Sequence, residues 1–154
     1  MDLPVQDRPP PAAVLMVLNP IIRTVLRSPL HRALSRDLML LHVTGRTSGR
    51  VYDVPVGRHE HHGQLVASAG GSWRRNLRHG ANLEMTVDGR RLRAYGELVE
   101  DPHEVAQIFS DLLNGLGRKR ANRLGLQVNV ERAPTLEELR VALVDRKVVR
   151  LSLT

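Results

Sequence analysis

A chain of 154 residues with a formal net charge of +7 is the right size for a single domain, and its arginine excess asks for an anionic partner: nucleic acid, a membrane surface, or a phosphorylated or polycarboxylate small molecule. The absence of cysteine excludes disulfides, iron–sulfur clusters, thiolate zinc sites and thiol nucleophiles. One Trp, one Phe and two Tyr leave the core to aliphatic side chains.

Residues 1–11, with Asp2, Asp7 and the run Pro9-Pro10-Pro11, read as a disordered or extended lead-in without the basic start and small-residue cleavage site of a secretory signal. Val14, Leu15, Val17, Leu18, Ile21, Ile22, Val25 and Leu26 then form a helical stripe. Asn19-Pro20 and Ser28-Pro29 are helix-start signals, so this stretch is one kinked helix or two or three short ones. It is too short and too broken to span a membrane. The expected address is the cytoplasm, with peripheral contact at the inner membrane face left open through this helix.

From Leu38 the period changes. Leu38–Val43, Val51–Val56, Leu65–Ala69, Leu83–Val87, Leu92–Val99 and Lys147–Leu153 read as strands. Pro55 marks the second of them as an edge or a bulge. Thr44–Gly49 and His59–Gly63 are turns by composition, and Asp88-Gly89 is a tight hairpin signal. Trp73–His79 makes two helical turns. Asp101-Pro102 opens a helix whose apolar stripe is Val105, Ile108, Phe109, Leu112, Leu113 and Leu116, and Gly117 ends it. Arg118–Arg123 is loop or frayed helix, and Thr135 with Glu138 is a second capping box. Short links and hairpins favour antiparallel pairing. We expect an α+β fold of about six strands, with residues 12–154 forming one domain.

The chain lacks a G-x-S-x-G elbow and a P-loop. Gly45-Arg46-Thr47-Ser48-Gly49 is a turn of hydroxyls, backbone N–H groups and arginine; it is either an anion cradle or a plain hairpin turn. Trp73-Arg74-Arg75-Asn76 follows Gly70-Gly71, where the backbone can approach a ligand closely; the competing reading is an amphipathic turn with Trp73 and Leu77 packed inward. His59-Glu60-His61-His62 sits at a hairpin tip, where ligands without supporting hydrogen bonds make a poor metal site, so no metal is expected. Arg90, Arg91 and Arg93 read as a solvated face. Without stacking aromatics or a helix-turn-helix, no nucleic-acid partner is expected.

Taken together, "LLHVTGRTSGRVYDVPVG", "GQLVASAGG" and "WRRNL", followed by a strand, a glycine turn and a strand, resemble the deazaflavin-dependent nitroreductase family between Leu40 and Val99. The resemblance implies an antiparallel split β-barrel with flanking helices, like the flavin-mononucleotide (FMN)-binding barrels. It implies an enzyme that passes a hydride from reduced deazaflavin coenzyme F-420 to a quinone, a nitro compound or another activated small-molecule acceptor. It places cofactor contacts at Arg46, Thr47 and Ser48 on the first turn, and at Tyr52, Val54, Pro55 and Val56 on the second strand. Further contacts fall at Ala67, Ser68, Ala69 and Gly70 closing the third strand, and at Trp73, Arg74, Arg75 and Asn76 on the short helix. The family usually carries basic residues where this chain has Thr47, Tyr52 and Ala69, and the Tyr-rich C-terminal region of better-known members has no match. FMN is the alternative cofactor. A split-barrel carrier of FMN, a haem-like or a lipid-like ligand without turnover is the alternative function, and a basic nucleic-acid-binding protein is a more distant one. Oligomeric state is left open.

Overall fold

Why the chain turns where it does is visible in its glycines and caps. The computed structural model describes residues 3–9 and 12–154, with the backbone alone for 12–18. In chain order the elements are β1 (Val5–Asp7), α1 (Ala12–Arg27), β2 (Leu38–Thr44), β3 (Val51–Gly57), β4 (His59–His61), β5 (Gln64–Ala69), β6 (Ala81–Val87), β7 (Arg90–Val99), α2 (Pro102–Leu116), β8 (Leu126–Val128), α3 (Leu136–Ala142) and β9 (Lys147–Leu153). Short 3-10 turns occupy Pro29–Ala33, Ser72–Leu77 and Arg118–Leu124.

Seven strands form one antiparallel sheet in the order β3-β2-β6-β7-β9-β5-β4, and β1 pairs with β8 apart from it. This curled sheet with flanking helices is the expected α+β fold and is consistent with the split barrel that the resemblance implied, with seven strands where about six were expected. β3 lies at an edge, where Pro55 leaves no central ladder bond unmade. Asp88 and Gly89 both have positive φ, 51° and 72°, which is the type I′ geometry that makes Asp-Gly a hairpin signal. His62 and Gly63, at 51° and 79°, repeat it between β4 and β5. The segment read as a turn over His59–Gly63 is therefore a short strand plus a two-residue turn.

Two alternatives left open by the sequence are decided by the structure. The lead-in is not disordered over its described part: Val5–Asp7 pairs with Leu126–Val128, and Val5 is buried. What stood for Pro10 and Pro11 lies outside the described residues. At the N-terminal helix, Pro20 does not start a new element, because α1 runs through it to Arg27. Thr24 returns its hydroxyl to the Pro20 carbonyl at 2.9 Å.

Strand alternation splits the apolar residues between two cores. Met39, Leu41, Val43, Val56, Ala67, Ala69, Met85, Val149 and Leu151 fill the barrel interior. The opposite face of the same strands, with Val66, Val99 and Val148, packs on Val105, Ile108, Phe109 and Leu113 of α2 and Leu139 of α3. Both helices start as their sequences require: the Asp101 side chain accepts from the His103 N–H, and Thr135 accepts from Glu138 N–H. Buried Arg146 ties the layers together, reaching the Asp7 carboxylate, the Ser68 hydroxyl and the carbonyls of Leu124 and Gly125.

On the outer face of β2, His42 is buried between Asp53 (2.6 Å from Nδ1) and Thr86 (2.8 Å from Nε2). Burial holds its pKa down at about 4, and the charges of Arg91 and Arg27 add to that. The Asp53 carboxylate is itself paired with Arg27, so it does not hold a second positive charge on the ring. This polar set pins the end of α1 to the sheet.

Candidate functional site

One end of the barrel collects the motif turns. β2 ends there at Thr44 opposite Val51 of β3, β5 ends at Ala69 opposite Lys147, and β6 begins at Ala81 opposite Gly96. In the first turn, Gly45 N–H donates to the Arg50 carbonyl at 2.7 Å and Gly49 N–H to the Gly45 carbonyl at 2.9 Å. Gly49 has φ +71°, the left-handed region that glycine occupies without strain. The Ser48 hydroxyl accepts from Arg50 N–H at 3.2 Å. A Cβ on Gly45 would come within 2.7 Å of that hydroxyl and 3.1 Å of the Tyr52 ring, so the turn is close-packed from both sides.

The second motif turn is tied directly to the first. Asn76 accepts the Arg46 N–H at 2.9 Å through Oδ1 and donates through Nδ2 to the Trp73 carbonyl at 3.0 Å. The Arg46 guanidinium reaches the Arg78 carbonyl. Arg74 donates to the Ala69 carbonyl at 2.8 Å, holding the short helix against the end of β5. Trp73 packs half-buried on the barrel core and lies over Gly71, where a Cβ would come within 2.7 Å of its ring. Leu77 is buried. The inward-packing reading of this segment and its closeness to a glycine-bearing turn therefore both hold.

The sequence-derived residues do not all face one way. Val54 and Val56 turn into the barrel with Ala67 and Ala69, and Tyr52, on the same face of β3 as Val54, lies over the turn. Pro55 alternates to the other face opposite Leu40. The Ser68 hydroxyl points to the helix side and accepts from Arg146 at 3.0 Å, leaving only its backbone near the motif end. Gly70 is exposed, with open space where a Cβ would sit. Thr47 and Ser48 are exposed at the tip.

Charge is distributed differently from the simplest expectation. The Arg46 guanidinium gives one N–H to a carbonyl and keeps its other donors, and Arg78 pairs with Glu100 at 2.9 Å, holding that carboxyl below its ordinary range. Among the described residues, Arg50 and Arg75 are the arginines of this end that are exposed and spend no guanidinium N–H on the protein. Arg74 keeps donors beyond the one it gives to Ala69. Arg50 was not singled out from the sequence, although it follows the Gly45–Gly49 turn directly; its charge sits on the strand side of the turn, one position past the motif.

A cavity of about 750 Å³ opens elsewhere, lined by Arg32, Arg36, Arg58, His59, Asp88 and Arg90 among others. The register places it at the opposite end of the sheet, beside the start of β2 and the Asp88-Gly89 turn. Arg58 is already spent there on the Ser35 carbonyl and on Asp88, 2.9 and 2.8 Å away.

Among the described residues, no helix is long and apolar enough to cross a membrane. None of the curated proteins matches the chain in sequence. A solved structure titled "domain-swapped dimer" has the same fold, with a TM-score of 0.50 at 16% identity over 91% of this chain and 97% of that one. Residues 24–130 match the family described as "F420H(2)-dependent quinone reductase". That span contains the motif turns and strands β2 to β7, and it agrees with the deazaflavin resemblance read from the sequence. The chain belongs to this family of quinone reductases and is an oxidoreductase that depends on coenzyme F-420.

Proposed function

We propose that the chain binds reduced coenzyme F-420 at the motif end of the barrel and passes its hydride to a quinone. Nitro compounds and other activated acceptors fall within the same chemistry. The observation that carries this reading is the Asn76 bridge, which holds the Arg46 turn and the Trp73 turn together within hydrogen-bonding distance.

The residues present fit the group. The coenzyme bears a phosphate and carboxylates, and Arg50, Arg75 and the free donors of Arg74 supply matching positive charge in a form suited to oxyanions. The exposed tip with Thr47, Ser48 and Gly70 leaves backbone and hydroxyl groups open to the same ligand. Val54, partly exposed on β3, offers aliphatic surface to a flat ring, while Val56, Ala67 and Ala69 are buried in the barrel interior. When bound, the coenzyme supplies the hydride. The chain's own part is to hold, orient and desolvate, and no side-chain nucleophile is needed. Exposed Ile21 and Leu30 give the N-terminal segment apolar surface that could rest on a membrane where apolar quinones dissolve.

Anaerobic mixing of purified protein, reduced F-420 and a water-soluble naphthoquinone tests the proposal. We expect the oxidised-coenzyme absorbance to grow with protein concentration and to require the quinone. Tight binding of the coenzyme without turnover would instead favour a carrier, and preferential binding of FMN would give the fold the alternative cofactor.

A further inference from the structure

The His-rich hairpin tip is better supported than its sequence suggests. His61 closes β4 and His62 opens the type I′ turn with φ +51°. Successive side chains on an extended strand point to opposite faces. The left-handed backbone at His62 breaks that alternation and brings its ring back against His61, stacked at 3.9 Å between centroids. Both rings present Nε2 to one carboxylate oxygen of Asp111 on α2, at 2.8 Å from His61 and 3.7 Å from His62. The other Asp111 oxygen accepts from Gln107 at 3.0 Å, one helical turn earlier. The reason for expecting no metal was the want of a supporting hydrogen bond, and α2 supplies it.

We infer that His61, His62 and Asp111 form a site for a borderline divalent cation, Zn²⁺ or a neighbouring first-row ion, with a coordination position left open to water. The three ligand atoms lie within 4.8 Å of one another. Four-coordinate ions with bonds of about 2.0–2.2 Å need donors roughly 3.3 Å apart, so binding turns the exposed His62 ring out of its stack on His61. Two imidazoles and one carboxylate select this class over Ca²⁺ and Mg²⁺, which want oxygen alone. The His61 side chain is 9% exposed and that of His62 76%, so one donor is fixed by packing and the other is reachable by the ion. The ion joins the β4–β5 hairpin to α2, remote from the motif turns, so it acts on stability rather than on turnover.

Calorimetric titration of untagged, chelator-treated full-length protein with Zn²⁺, and separately with Ni²⁺, Ca²⁺ and Mg²⁺, tests this, with thermal melts alongside. We expect one Zn²⁺ per chain, a raised melting temperature, and unchanged oxidation of reduced F-420. His62→Gly suits the left-handed backbone, so it should keep the fold while weakening Zn²⁺ binding at least tenfold. Asp111→Asn should do the same, and Gln107→Ala should weaken it about tenfold, as loss of a ligand's hydrogen-bond partner does. His103→Ala, an exposed histidine elsewhere, should leave affinity unchanged. Absence of Zn²⁺ binding, affinity unaltered in His62→Gly and Asp111→Asn, loss in His103→Ala, or tighter binding of Ca²⁺ or Mg²⁺ would each overturn the assignment.

Discussion

Arg146→Met should destabilise the protein by about 3–4 kcal/mol, an amount set by what the guanidinium holds. The residue is 8% exposed and its Nη1 donates to the Ser68 hydroxyl at 3.0 Å and the Leu124 carbonyl at 2.8 Å. Nη2 reaches the Gly125 carbonyl at 3.1 Å and the Asp7 carboxylate, and the guanidinium carbon lies 5.4 Å from the centre of Phe109. Methionine keeps most of the apolar stem over Phe109 but strands these acceptors. Breaking a buried ion pair by removing one partner costs about 3–5 kcal/mol. The Asp7 side chain is 24% exposed, so water recovers part of that and the low end applies. The buried Leu124 carbonyl, left without its donor, adds about 1 kcal/mol. For a domain of this size each kcal/mol moves the melting temperature by about 2–4 °C, giving a fall of roughly 6–16 °C. Urea unfolding followed by circular dichroism measures the loss directly. A double-mutant cycle with Asp7→Asn should return a coupling above about 1 kcal/mol, because the two side chains touch. A loss below about 1 kcal/mol in Arg146→Met, or strict additivity with Asp7→Asn, would refute the reasoning.

Other expectations follow from the same geometry. His42 is depressed from 6.5 to about 4 in the folded protein, so the unfolded chain takes up its proton first; this contribution to stability is complete above pH 6.5 and is lost as pH falls toward 4, up to about 3 kcal/mol. His42→Gln should flatten the slope of unfolding free energy against pH in that window, and an unchanged slope would count against it. Arg50→Ala and Arg75→Ala should each weaken F-420 binding two- to fivefold, the worth of a partly exposed charge pair, with a shallower salt dependence measured by fluorescence titration. Asn76→Ala removes the acceptor for Arg46 N–H, so it should cost about 1 kcal/mol of stability and lower F-420 affinity more than either arginine variant; equal affinity in all three would show that the bridge does not organise the site.

Long, regularly patterned elements were legible because their cause is local. The Asp88-Gly89 turn, the Asp101 and Thr135 caps and the edge position of β3 each follow from a residue type acting within a few positions of itself. β1, β4 and β8 were not read as strands, since three residues are too few to show a period. Their pairing depends on partners far along the chain, as Val5 with Val128 illustrates. Pro20 left one helix or several open for the opposite reason: its local signal is strong, but the helix continues through it and packs on β2 and β3 regardless. At the motif end, the sequence located the turns but not the fate of each side chain. Arg46 gives one N–H to the Arg78 carbonyl and the Ser68 hydroxyl accepts from Arg146, contacts spanning 32 and 78 positions that no motif encodes. Asp111 beside His61 is a contact of the same kind, across 50 positions.

The sheet curls until β3 lies against β5, yet no ladder joins them. Everywhere else around the curl, parting two strands would break backbone hydrogen bonds. Along this slit no backbone ladder has to break, and the side chains that its two strands send into the shared core, Val54 and Val56 from β3 and Ala67 and Ala69 from β5, interact by dispersion. Those contacts are individually worth about 0.1–0.2 kcal/mol per atom pair. The slit is therefore the compliant line of an otherwise stiff wall, and small side chains on the β5 lip keep its closure shallow.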